Sequence, residues 1–194
     1  MKGKNRTMKR TQKLLLIIAA TLLTSSHTHA QKIAIKANLA HIAIGTANIG
    51  LELAPSSKIT LALDGTYNSW STTNDYRKRI MLVQPEIRLW SFKKYVGSFV
   101  GFHLHLAEFN LSKISEVGLK NHRIEGNAYG VGISWGYNLV LTTHLNIETN
   151  LGIGYSTVKY EKFKCEKCSD RIEETTLDLI SPTRVGVSLV YLLK

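Results

Sequence analysis

From His144 to Val158 the chain runs HLNIETNLGIGYSTV, and every second residue belongs to a different chemistry. Between Leu145 and Tyr155, Leu145, Ile147, Leu151, Ile153 and Tyr155 fall on one alternate set, with Thr149 its one polar member. Asn146, Glu148, Asn150, Gly152, Gly154 and Ser156 fall on the other. An extended chain sends alternate side chains to opposite faces, so this segment is a strand with one apolar and one polar side. A chain made of such strands has two ways to fold. It turns the apolar sides inward and is soluble, or it turns them outward and lives in lipid.

The alternation recurs in seven other places. Ile33, Ile35, Ala37 and Leu39 oppose Ala34, Lys36 and Asn38; Ile49, Leu51 and Leu53 oppose Asn48, Gly50 and Glu52. Ile59, Leu61 and Leu63 oppose Thr60, Ala62, Asp64 and Thr66, while Met81, Val83, Ile87 and Leu89 oppose Gln84, Glu86 and Arg88. Val96, Val100, Phe102, Leu104 and Leu106 oppose Gly97, Gly101, His103 and His105. Tyr129, Val131, Ile133, Trp135, Tyr137 and Leu139 oppose Ala128, Gly130, Gly132, Ser134, Gly136 and Asn138. Val185, Val187, Leu189, Tyr191 and Leu193 mark the last segment. The expectation is an all-β chain of eight strands, with no helix of useful length between them.

The connections alternate too. Pro55–Lys58, Ser91–Lys94 and Leu141–His144 are short, whereas Ser69–Lys78, Ser112–His122 and Phe163–Thr175 are long and polar, and the first connection, around Gly45, is short. Short turns at one end and long loops at the other is the pattern of an antiparallel outer-membrane β-barrel of the up-and-down type. Three further features favour outward apolar faces. Glycines gather on the polar faces (Gly50, Gly97, Gly101, Gly130, Gly132, Gly136, Gly152, Gly154), where they leave room in a narrow interior for large polar side chains. Tyr129 and Tyr137 bracket one apolar face, and Leu145–Tyr155 at ~3.3 Å per residue and a tilt of ~40° spans about 25 Å, the height of an apolar band. The apolar faces carry almost no charge at their centres.

Residues 1–30 read as a secretory signal peptide, leaving 31–194 as one barrel domain. Lys2, Lys4, Arg6, Lys9, Arg10 and Lys13 precede the ten-residue run Leu14–Leu23, too short for a bilayer core of about 30 Å, and Thr28-His29-Ala30 offers small residues for cleavage before Gln31. Removing the leader leaves 19 basic and 14 acidic residues, a net charge of +5 instead of +11, so no nucleic-acid partner is expected.

With the strands placed, several stretches carry a resemblance: YNSW (67–70), VQPEIRLW (83–90), YGVGISWGY (129–137), LNIETNLGIGY (145–155), KCEKC (164–168) and SPTRVGVSLVYLLK (181–194). Together they resemble an uncharacterised family of small Bacteroidetes proteins, catalogued as a domain of unknown function and grouped with outer-membrane β-barrels. Ser181 stands where that family usually has Gly, and His144 where it usually has Trp. Some members look associated with genes for surface fimbriae, which implies a role at the cell envelope and brings no catalytic residues.

The candidate site residues follow from the face assignment. Glu52, Glu86, Arg88, His103, His105 and Glu148, with Lys36, form the expected polar filling of the lumen. Every buried donor or acceptor left unpaired there costs about 1–3 kcal/mol, so these groups are expected to bond to one another. His103 and His105 with a glutamate would also make a metal clamp, a minority alternative. Tyr129, Trp135, Tyr137, Tyr155 and Tyr191 are the expected lipid-facing aromatics. Cys165 and Cys168, a C-x-x-C with no second pair and no βαβ context, are expected to form a small structural disulfide.

No catalytic residues, metal or cofactor are expected. The expected function is a non-enzymatic, plugged outer-membrane barrel, monomeric, held in outer-membrane lipid, whose external loops meet fimbrial or other envelope proteins. Eight strands leave no open pore for a solute. Two alternatives stand beside it. One is a rim-active enzyme on lipid or envelope substrates, for which His122, Asp75 and Asp170 are available without a recognisable spacing. The other is a soluble, lipocalin-like binder of an apolar ligand.

Overall fold

The computed structural model describes residues 33–71, 77–112, 123–163 and 171–193. The expected leader and the Cys165–Cys168 pair lie outside them, as do Asp75, His122 and Asp170. Eight antiparallel strands appear in order: β1 (Ile33–Asn38), β2 (Ala47–Leu53), β3 (Ile59–Ser71), β4 (Arg77–Trp90), β5 (Gly97–Ser112), β6 (Arg123–Val140), β7 (Leu145–Phe163) and β8 (Arg171–Leu193). Each pairs with its sequence neighbour, and β1 pairs with β8, so one sheet closes into a ring. Among the described residues the one helix is α1 (Leu39–Ala43), between β1 and β2.

That helix departs from the expectation, which ran Leu39 on as strand. Asn38 explains it: its side-chain oxygen accepts from the backbone N–H of Ala40 at 3.0 Å and of His41 at 3.4 Å, capping the helix start. Gly45, at φ +70°, then returns the chain into β2.

The strands also run further than the alternation indicated. β6 begins at Arg123 and β7 continues to Phe163, because Glu125 pairs with Glu161 and Asn127 with Lys159. Gly97, expected to make room on a polar face, has no atom within 4 Å of where a side chain would start. It lies at φ +78°, two residues after Tyr95 at φ +63°, and serves the turn between β4 and β5.

Register shows which way the faces point. Around the ring, Ile33, Leu53, Leu61, Ile87, Phe102, Ile133, Ile153 and Pro182 stand opposite one another strand by strand. All the large members of that row are exposed. The partner faces are buried and hold Glu52, Glu86, Arg88, His103 and Glu148.

Candidate functional site

The interior is built in tiers along the ring axis. At the short-turn end lies an apolar tier. Trp90, Tyr95 and Phe99 pack with Ala34, Ala54, Val190 and Leu192. Trp90 sits 4.8 Å from the Phe99 ring and 5.9 Å from Tyr95, centroid to centroid, in tilted arrangements that suit ring quadrupoles. The polar tips are accounted for: Trp90 Nε1 donates to Thr60 Oγ1 at 2.9 Å and Tyr95 Oη to the Glu52 carbonyl at 3.2 Å. Burial and the negative charge of Glu52 push the Tyr95 hydroxyl pKa up from its ordinary value.

Above it lies the ion network. Arg88, fully buried, donates from Nε to Glu86 at 2.5 Å and from Nη1 to Glu52 and Glu148, each at 2.9 Å. Its guanidinium also lies over the Phe99 ring at 4.3 Å, which ties this tier to the aromatic one. Lys36 Nζ bonds Glu52 at 2.8 Å and sits 3.8 Å from Glu148. Arg184 bridges Glu86 and Asp64, and Ser134 donates to Glu86. Three cations therefore meet four carboxylates: Lys36, Arg88 and Arg184 against Glu52, Asp64, Glu86 and Glu148.

Glycine makes the space. A side-chain carbon at Gly101 would collide with Glu86 and Ser134, one at Gly50 with Asp64, and one at Gly132 would come within 2.7 Å of the His103 ring. The third tier is made of histidine–hydroxyl hydrogen bonds. His103 Nε2 pairs with Thr183 Oγ1 and His105 Nε2 with Ser156 Oγ, both at 2.8 Å. Beside it a polar cavity of about 60 Å³, lined by Lys36, Asn48, Asp64, Gln84 and Arg184 among others, is large enough for water.

Towards the long-loop end the polarity inverts. Leu82, Ala107, Ala128, Val158 and Leu177 stand in one register row, on the faces that carry His105 and Ser156 lower down. The adjoining outward row is Met81, Glu108, Asn127, Lys159 and Thr176, and the next is Arg79, Asn110, Glu125, Glu161 and Glu174. Here apolar side chains point in and polar ones out. Between the two regimes lie Val83, Leu106 and Tyr129.

Among the described residues, those singled out from sequence divide between the inside and the outside of the ring. Glu52, Glu86, Arg88, His103, His105 and Glu148 are all buried within the ring. Tyr129, Trp135, Tyr137, Tyr155 and Tyr191 are all exposed on its outside. Sequence reasoning left Asp64 and Arg184 out of the network and missed Trp90, Tyr95 and Phe99. Parity along their strands carried a signal for four of them: Asp64 follows Thr60 and Ala62, Trp90 continues Glu86 and Arg88, Phe99 sits between Gly97 and Gly101, and Arg184 precedes Gly186 and Ser188.

The histidine–hydroxyl pairs lack what a hydrolytic triad needs. Nδ1 of His103 and of His105 has no hydrogen-bond partner among the described residues, and no third group among them orients either imidazole. Among the described residues no three acidic, histidine or cysteine side chains are grouped to hold a metal ion. The arrangement can bury charge, fill space and seal one end of the ring.

No curated protein matches this chain. Residues 14–193 match one family model across nearly the whole sequence, and the chain belongs to that family, described as a protein of unknown function (DUF3575).

Proposed function

We propose that the chain is an outer-membrane β-barrel of the up-and-down type, exported by its N-terminal leader and held as a monomer by lipid. Its charged interior is a filling, and its work is done by the surfaces at the long-loop end, which meet fimbrial or other envelope proteins. The reading is of a non-enzymatic protein. One observation carries it: a register row of apolar side chains crosses the outside of all eight strands, while seven acidic and basic side chains lie inside. Soluble monomers rarely expose contiguous apolar patches above a few hundred Å². Where β1 pairs β8 from Ser188 to Leu193, the closed sheet also satisfies its backbone within itself, as lipid requires.

A lipocalin-like carrier needs an apolar lining and a charged exterior, the reverse of the middle tiers. A rim enzyme would need groups such as His122, for which alanine variants and envelope-lipid profiles give the direct check.

The test uses the two indoles whose positions differ. Trp135 is 55% exposed on the outer face and Trp90 is 1% exposed inside. In vesicles containing brominated lipid, a Trp70→Phe variant retaining Trp90 and Trp135 is expected to lose Trp135 emission and keep that of Trp90. Equal quenching of neither, together with solubility in buffer without detergent, refutes the proposal.

A further inference from the structure

We infer that the upper edge of β8 is a strand-addition site for an extended polypeptide segment of another envelope protein. β7 accompanies β8 from Tyr191 to Arg171. On the other edge, β1 pairs only from Leu193 to Ser188 and then turns away into α1 at Leu39. A side-chain carbon at Gly186 would strike Asn38, so the start of α1 lies close against β8 there. At Pro182 and Thr183 the register slips against β7. Beyond that irregularity no described strand lies on the second edge of β8 from Thr176 to Ser181.

Natural sheets blunt such an edge with lysine, proline, a bulge or a cover. Pro182 and the slip interrupt the edge below this stretch; Thr176–Ser181 itself contains neither lysine nor proline. Its inward side chains are uncovered: Leu177 is 46% and Leu179 37% exposed, although they stand opposite Val158 and the buried Ser156. A strand laid here covers both if its alternate residues are apolar. Its opposite face meets Asp178, so a basic side chain suits that position.

The added segment runs antiparallel to β8, in the sense of β1. This part of the argument rests on the membrane reading. Two copies upright in one membrane present β8 in the same direction, so a second copy would have to pair in parallel, the weaker geometry per residue. A free segment has no such restriction.

The probe is an end-capped octapeptide alternating valine and threonine with one central lysine, added to the full chain in phosphatidylcholine vesicles. Hydrogen exchange followed by mass spectrometry is expected to slow within residues 176–181, saturably, with 145–155 unchanged. The Leu177→Lys/Leu179→Lys variant should bind on the order of tenfold more weakly while keeping its heat-modifiable mobility. Asp178→Lys should weaken binding and recover it with a glutamate in place of the peptide's lysine. No protection by the peptide overturns the inference. So does protection that grows with protein concentration in the absence of peptide, which would assign the edge to a second copy. Peptide protection without lipid quenching of Trp135 keeps the edge site and removes the membrane reading.

Discussion

Arg88 is the group on which the interior depends most. It is fully buried and its guanidinium serves three carboxylates, Glu52, Glu86 and Glu148, at 2.5–2.9 Å. Replacing it with methionine keeps most of the stem but deletes the charge and the guanidinium's contact with the Phe99 ring. Lys36 and Arg184 then remain against four carboxylates. Breaking one buried pair by removing a partner costs about 3–5 kcal/mol, since the other charge stays desolvated and unpaired. With three carboxylates losing their shared donor at once, while Glu52 keeps Lys36 and Glu86 keeps Arg184 and Ser134, Arg88→Met is expected to cost about 3–5 kcal/mol. The penalty belongs to the stranded acids, so neutralising them should reverse much of it. Adding Glu52→Gln and Glu148→Gln is expected to restore about 2 kcal/mol or more. Equilibrium urea unfolding in vesicles, followed by tryptophan emission and by the heat-modifiable band, measures both. A loss below about 1 kcal/mol for Arg88→Met, or a further additive loss in the triple variant, would refute the reasoning.

Other substitutions probe the remaining tiers. Ile133→Arg, on the outward row, should cost about 2–4 kcal/mol in a bilayer, where a water-facing position would change by no more than about 0.5 kcal/mol; unfolding in vesicles distinguishes them. Gly132→Ala places a carbon within 2.7 Å of the His103 ring and of the Ile153 carbonyl oxygen, and should cost about 1–3 kcal/mol. Gly65→Ala, with its nearest atom 3.8 Å away, should be neutral or slightly stabilising in the same measurement. Thr60→Val leaves the Trp90 indole N–H buried without its acceptor, at about 1–3 kcal/mol, and a shift in Trp90 emission should accompany it.

Alternation alone placed the eight strands, because one face of each meets a different medium from the other along its middle. It lost them beyond Tyr129 and Lys159. There the outward Asn127, Glu125 and Glu161 are polar, while the inward positions include Gly126 and Tyr160, so the contrast between faces fades although pairing continues. Helix α1 was invisible to periodicity at five residues; its signal was Asn38, a capping residue read as part of a strand. In the network, parity identified Glu52, Glu86, Arg88, His103, His105 and Glu148 as sharing the interior. Which of them bond was beyond it, since partners such as Arg88 and Glu148 are brought together by ring closure and register. Arg184 stands at the start of its period, just after the slip at Pro182 and Thr183, so only Gly186 and Ser188 on one side of it marked its face. Trp90 and Phe99 escaped because large apolar residues on a polar face read as exceptions, when they are the tier that closes one end.

The two ends of the ring are unequal, and that inequality decides where a partner can act. At the short-turn end the aromatic tier fills the interior, and the turns are tied together: Lys94 N donates to the Ser57 carbonyl and Leu192 N to that of His144, both at 2.8 Å. The ion network seals the middle, since moving any large solute past Arg88 means separating it from three carboxylates. Towards the long loops the walls diverge. β1 and β2 stop early at α1, whereas β6, β7 and β8 continue past the aromatic level with apolar residues inward and charges outward. Such a reversal is what a sheet in water adopts when its inner face is to be covered. Among the described residues, the tall ribbon with an uncovered Leu177–Leu179 edge beside the early end of β1 is the surface that the proposed docking would use. On the proposed reading, docking at that rim draws on each of these features and transport through the axis on none.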